Sequence, residues 1–276
     1  MRSLLQAAKL DVAESLRARW FALYALVFGG LIAILFVFGL TESRVMGFTG
    51  LSRMLITFIQ LTMAILPIFV LLSTVRSLVG DREAGVYEYM LSFPITLSGW
   101  FWGRFIGRFL VVFTPVFAAM AIALVAGLFM GAEEIPWRDF LWYSTLLFSL
   151  ATCFLGISFF ISALARTSDV AQSLAFVTWL LLLMFLDLIL LGLLIQFQTP
   201  PEVVVGLALL NPLEVFRIGA MLLFDPQLIL LGPAAYTILD TFGQAGFMAW
   251  AVLWPLALGL ALAGIGYHVF RRSDLP

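Results

Sequence analysis

Long apolar runs alternate with short polar stretches along most of the chain. Runs at residues 20–40, 54–75, 100–130, 139–164, 172–196 and 246–270 each reach or exceed the ~20 residues with which an α-helix crosses a bilayer core. They predict an all-α polytopic membrane protein with six transmembrane helices in a single domain over residues 1–276. The first run is longer than a signal-peptide core and no small-x-small cleavage pattern follows it, so it is expected to stay as the first span. Ahead of it, residues 1–19 place Leu4, Leu5, Ala8, Val12 and Leu16 on one helical face and scatter Arg2, Lys9, Arg17 and Arg19 around it. That pattern predicts an amphipathic helix lying in the membrane interface.

Three stretches interrupt the apolar pattern. In residues 80–98, Val86, Tyr89, Met90 and Phe93 fall at i, i+3, i+4 and i+7, while Arg82, Glu83 and Glu88 lie off that stripe. A short amphipathic helix follows, with Asp81 capping its first turn, Glu83 and Glu88 towards its N-terminal half, and Pro94 ending it. Gly85 lies inside the segment, and Gly99 with Gly103 lets the chain re-enter the bilayer. Such a helix either rests in the interface or docks a partner. The second stretch is the turn Ala165-Arg166-Thr167-Ser168-Asp169, in which Ser168 or Asp169 can cap the next helix. It reads equally as a tight antiparallel turn and as a second partner contact. In the third, residues 202–245, apolar runs are broken at Asn211-Pro212, Asp225-Pro226, Gly232-Pro233 and Gly243. Short helices on or dipping into the outer interface are expected, one of them started by Asn211 as N-cap with Pro212 at its first position. Asn211, Pro212, Glu214 and Arg217 could then dock an extracytoplasmic partner, or the stretch could form a re-entrant plug.

Composition narrows the function classes. With 63% hydrophobic and 11% charged residues and a mean hydropathy of +1.10, the chain is no soluble domain. Its net charge of −1 with scattered basic residues gives no nucleic-acid stripe. The lone cysteine, Cys153, excludes an internal disulfide, and the lone lysine, Lys9, lies outside any glycine-rich loop, so the chain carries no P-loop ATPase of its own. No metal-ligating or nucleophile–base constellation stands out: the methionines form no close pairs and His268 has no acidic neighbour but Asp274. A non-enzymatic membrane subunit without cofactor or metal is expected. Assigning Lys and Arg to alternate sides gives eleven against four. The positive-inside rule then puts both termini and residues 80–98 in the cytoplasm. Asp187 is a carboxylate in mid-span, suited to an interhelical hydrogen bond, a dimer interface or a proton site, the last being the basis of a secondary-transporter alternative.

The run from Asp81 to Pro94 followed by Gly103-Arg104 resembles the first coupling helix of type-2 ABC exporter permeases. Their pattern is acidic-Arg-Glu-x-Gly-Thr-x-Glu-x-Leu-Leu-x-x-Pro, with Gly-Lys about ten residues later. Asp81, Val86, Met90 and Arg104 depart from it in identity without removing the helix or its charges. The chain length and Leu210-Asn211-Pro212-Leu213-Glu214-Val215-Phe216-Arg217 are similar, more narrowly, to permeases that serve maturation of the copper centres of nitrous oxide reductase. The resemblance implies a type-2 permease fold in a bacterial inner membrane, a homodimer, and a separate cytoplasmic ABC ATPase that binds ATP and Mg. The narrower likeness adds a periplasmic β-helical maturation subunit. The likeness to the coupling helix implies that Asp81, Arg82, Glu83, Gly85, Val86, Glu88, Tyr89, Met90, Phe93 and Pro94 couple to the ATPase, and Arg166, Ser168 and Asp169 of the second polar turn could contact it alongside. A generic exporter of lipid, glycan or drug would share this architecture without the periplasmic subunit.

Overall fold

The computed structural model describes residues 2–17, 49–86, 96–129, 137–189, 200–223 and 233–272, together with positions 23, 26, 27, 30, 192, 225, 227, 228 and 231. Its helices are α1 (Arg2–Arg17), α2 (Thr49–Thr74), α3 (Arg76–Glu83), α4 (Leu97–Phe129), α5 (Trp137–Leu164), α6 (Ser168–Leu180), α7 (Pro201–Ala208), α8 (Pro212–Met221) and α9 (Pro233–Arg272). A π-turn, Leu181–Phe185, continues α6. Five described helical stretches are long and apolar enough to cross a membrane, and the bent pair α7–α8 makes a sixth candidate. The chain is thus an all-α polytopic membrane protein. The predicted first span lies outside the described residues except for the helical positions Leu23, Leu26, Val27 and Gly30.

α5 is the core. It is apolar on every side, which suits a helix surrounded by others, and α2, α4, α8 and α9 pack on it. Its hydroxyls serve backbone groups that have no water to turn to: Ser149 Oγ donates to Val252 O at 2.5 Å, and Ser158 Oγ lies 3.4 Å from Leu71 O. α9 meets α5 backbone to backbone, since a Cβ on Gly156 would fall 2.0 Å from Gly259 O. Small residues permit such approaches between helices in lipid. α6, by contrast, faces outward, with Val170, Leu174, Val177, Leu181 and Leu188 exposed.

The second span does not give way to a loop at residue 75. Val75 forms a single turn and α3 starts at once with Arg76. Val75 has no side chain with which to cap the new helix. Ser162 of α5 does so from across the interface, its Oγ accepting from Leu78 and Val79 N–H at 3.2 and 3.1 Å. These are amides of the first turn, which lack partners inside their own helix. α3 then ends at Ala84 and Gly85, where Gly85 takes φ +65, a left-handed conformation that favours glycine.

α7 and α8 meet at 101°. Residues Pro233–Arg272 form two helices that meet at a kink at the non-helical Gly243 (φ 63, ψ 170); the second carries the apolar run predicted at 246–270, and the first begins at Pro233. Pro233 opens that first helix rather than breaking it, because a first-turn residue has no intrahelical N–H bond to lose.

Candidate functional site

Arg104, two turns into α4, joins three elements. Its Nε lies 3.3 Å from Asp11 Oδ1 of α1, Nη1 donates to Ser77 O of α3 at 2.8 Å, and the same nitrogen pairs with the Asp81 carboxylate. Its guanidinium also lies 5.0 Å from the centroid of the Trp100 ring, which stacks on Phe270 near the end of α9. One turn further along α4, Arg108 Nε reaches the same Asp11 Oδ1 at 3.0 Å. The Asp11 side chain is 2% exposed and those of Arg104 and Arg108 12% and 18%. Two carboxylates therefore balance two guanidinium groups in a largely dry joint, the condition under which buried charge is tolerated.

Glycine makes the joint possible. A Cβ on Gly103 would stand 2.6 Å from Leu4 O and 2.7 Å from Ala7 Cβ, and one on Gly107 would stand 3.0 Å from Ala8 O. α1 can lie on α4 because these two positions, four residues apart and so on one helix face, carry no side chain. The Gly103-Arg104 pair thus has a physical basis: the first residue admits α1, the second holds it.

This geometry corrects two expectations. Asp81 caps no first turn; it lies near the C-terminal end of α3, because helix resumes at Arg76 rather than at Gly80, and its carboxylate goes to Arg104. The buried face of α1 is only partly the apolar stripe: Ala8 is buried and Leu4 and Val12 are half-buried, but Leu5 is 57% exposed while the polar Asp11 and Ser15 are buried. Asp11, Gly107 and Arg108 are the members that the pattern missed. The signal available was the spacing of Gly103 and Gly107 beside Arg104 and Arg108, set against the two acidic residues of α1, Asp11 and Glu14.

The two polar turns meet at this end of the bundle. Glu83 Oε1 accepts from Ser168 N–H at 3.0 Å and Glu83 Oε2 accepts from Ser168 Oγ. These bonds hold the Glu83 carboxyl below the ordinary value of 4.5, with Arg76 assisting. Arg76 Nη2 donates to Gln172 Oε1 at 2.8 Å and lies 3.6 Å from Asp169 Oδ1. Thr167, not Ser168 or Asp169, is the N-cap of α6, its hydroxyl accepting from Val170 N–H at 3.4 Å. Ser168 is thereby left free to bind Glu83. Arg166 is exposed, Arg82 and Val86 are half-buried, and Glu88, Tyr89, Met90, Phe93 and Pro94 lie outside the described residues.

At the opposite end of the bundle, neutral side chains bond to backbone groups. Asn211 caps α8 as expected, Oδ1 accepting from Leu213 N–H at 3.1 Å, with Pro212 in the first turn. Its Nδ2 also donates to Leu182 O in the π-turn at 2.8 Å, where the hydrogen-bond register of the fifth span shifts. Trp250 Nε1 donates to Leu209 O at 3.3 Å and Trp254 Nε1 to Leu210 O at 3.0 Å. Trp142 Nε1 donates to Gly219 O at 3.3 Å. Asn211, Pro212 and Glu214 are buried, and Glu214 pairs with the partly exposed Arg217 of its own helix. A partner arriving at this end would instead meet Glu202, Val203, Leu207 and Leu210, which are exposed. Asp187 is exposed and makes no hydrogen bond among the described residues.

Relatives match this arrangement over nearly its whole length. The profile of ABC-2 family transporter proteins matches residues 5–275. A probable ABC transporter permease protein NosY from Stutzerimonas stutzeri is 28% identical over 276 residues, 96% of this chain and 96% of its own. The protein of the same description from Pseudomonas aeruginosa is 26% identical over 278 residues, covering 97% and 98%.

Proposed function

The chain belongs to the ABC-2 family of transporter proteins and is a membrane permease subunit, and from that premise we propose that two copies work with two copies of a separate cytoplasmic ABC ATPase. In this reading both termini and residues 80–98 face the cytoplasm of a bacterial inner membrane. ATP and Mg belong to the ATPase, and the permease contributes no catalytic group. Val86, Tyr89, Met90 and Phe93 fill a groove on the ATPase, and Arg82 and Glu88 border it. Closure of the ATPase pair pulls on this segment. The pull then enters the membrane along α4, because α3 is fastened to α4 through Arg104 and a helix moves as a stiff body.

The Arg104 joint is the observation that carries this reading, since it ties the polar segment to a span and to α1 at once. It predicts a division of labour. Tyr89→Ala should abolish assembly with the ATPase. Arg104→Gln should leave assembly intact and lower permease-stimulated ATP turnover by roughly tenfold, within the 1–3 kcal/mol typical of coupling between sites. Unchanged turnover in both variants would sink the proposal.

We further infer a role in maturing the copper centres of nitrous oxide reductase, by mechanical transmission to a periplasmic β-helical subunit, with or without sulfur or copper cargo. Its support is the likeness of Leu210 to Arg217, the chain length, and relatives named NosY over almost the full chain. Affinity purification from the native membrane in mild detergent, followed by mass spectrometry, tests it. An ATPase together with a periplasmic β-helical protein supports the maturation role, and an ATPase alone reduces it to a generic exporter of lipid, glycan or drug.

A further inference from the structure

A cavity of about 510 Å³ lies beside the Arg104 joint, bounded by α1, the first-span positions Leu23 and Val27, α2, α4 and the start of α6. Its volume falls within the range of small-molecule sites. Ile65, Ile68, Leu72 and Val111 make its walls apolar. The charged side chains among its described lining residues, Arg76 and Arg108, are both cationic. Arg108 pairs with Asp11, which it shares with Arg104, and Arg104 has Asp81 as its second carboxylate, while Arg76 has the exposed Asp169 at 3.6 Å. Arg76 is 53% exposed and marks the mouth. Ser15 also lines the cavity; it is 5% exposed and its Oγ makes no hydrogen bond among the described residues. A buried hydroxyl left without a partner is costly, and a ligand oxygen in the cavity would satisfy it.

The surroundings indicate where such a ligand comes from. α1, whose inner face supplies Ser15, turns Leu5 and Leu10 outward at 57% and 65% exposure, as a helix lying against lipid does. An apolar chamber with two arginines and a hydroxyl is complementary to a molecule with an acyl chain and a phosphate. Guanidinium groups bind phosphate oxygens with paired, charge-assisted hydrogen bonds, and basic pockets between spans are a recurrent means of holding acidic headgroups.

We propose that this cavity binds an anionic phospholipid, one acyl chain lying between α2 and α4 and the phosphate taken by Arg76, Arg108 and the Ser15 hydroxyl. The ligand then presses on α1 and Arg108, and so braces the joint that Arg104 forms. The proposal does not depend on the ATPase reading.

The test uses the full-length protein in detergent, stripped of lipid. Thermal unfolding is followed with added phosphatidylglycerol, with phosphatidylcholine of the same chains, or with inorganic phosphate, and retained lipid is counted by native mass spectrometry. Phosphatidylglycerol should raise the melting temperature and the other two should not. Arg76→Gln, at a half-exposed position, should weaken phosphatidylglycerol binding about tenfold. Leu72→Trp, which fills the chamber and leaves both arginines in place, should abolish it. Equal stabilisation by phosphatidylcholine would overturn the proposal in favour of unselective lipid contact. Stabilisation by inorganic phosphate alone would overturn it in favour of a free-anion site. Undiminished binding in both variants would place the lipid elsewhere and overturn it too.

Discussion

Both ends of this bundle must hold a broken helix, and they do so with different chemistry. At the Arg104 end, where α2 gives way to α3 and then to Gly85, the pieces are tied by ions: Asp11 and Asp81 to Arg104 and Arg108, Glu83 to Ser168, Arg76 to Asp169. At the Asn211 end, where α7 gives way to α8, neutral donors meet backbone carbonyls: Asn211 to Leu182, Trp250 to Leu209, Trp254 to Leu210. Neutral bonds suit a break enclosed in apolar surroundings, since each carbonyl needs a partner and a charge would add its own desolvation cost. Ionic ties cost more to bury but respond to a partner's charge, and the half-exposed ones can be remade. The difference separates a fixed corner from a joint that can be worked.

The largest effect expected from breaking this contrast is at Asp11. Asp11→Ala leaves Arg104 and Arg108 facing each other with Asp81 alone between them, and removing one member of a buried pair costs about 3 kcal/mol or more. Thermal unfolding in detergent should register the loss, and limited proteolysis should release α1 first. Asp11→Asn, which keeps the shape but not the charge, should be nearly as damaging. If Asn restores wild-type stability, packing rather than charge holds α1 on α4. At the other end, Asn211→Ala removes the α8 cap and strands the Leu182 carbonyl, for about 2 kcal/mol. That loss should not vary with salt, whereas cleavage near the exposed Arg76–Asp169 pair should increase as salt screens it. Trp254→Phe is milder. It keeps the ring that stacks on Trp250 and removes one N–H bond, for about 1 kcal/mol.

These residues were unequally legible in the sequence. Asn211-Pro212 announced a helix start because capping is a local transaction settled within three residues. The Gly103-Arg104 pair was legible as a motif, but its partner Asp11 lies 93 residues earlier, and the apolar stripe of α1 marked only part of the buried face. In a membrane an apolar residue gains as much from lipid as from the core, so hydrophobicity alone does not say which side of a helix is inside. Leu5 is outside and Asp11 inside for that reason. The break at Gly243 was legible because a glycine between two apolar runs can take the left-handed φ 63 at which the helix before it stops.

Glu83 gives the smallest and most local test of the contrast. Hydrogen bonds from Ser168 hold its carboxyl below the ordinary 4.5, so the folded protein favours the ionised form. The bond to Ser168 therefore adds stability that is fully present above pH 4.5 and is lost as the pH falls through the lower folded value. Between pH 8 and pH 5 the contact should not change. Glu83 is exposed, so its global contribution is minor, and the informative readout is local: hydrogen exchange at the Ser168 amide. Protection there should hold through neutral pH and fall only in acid, while Glu83→Gln should weaken it at every pH and leave the Asn211 end unaltered. Protection in the Gln variant equal to wild type would mean that packing between α3 and α6, not the carboxylate, brings the two polar turns together.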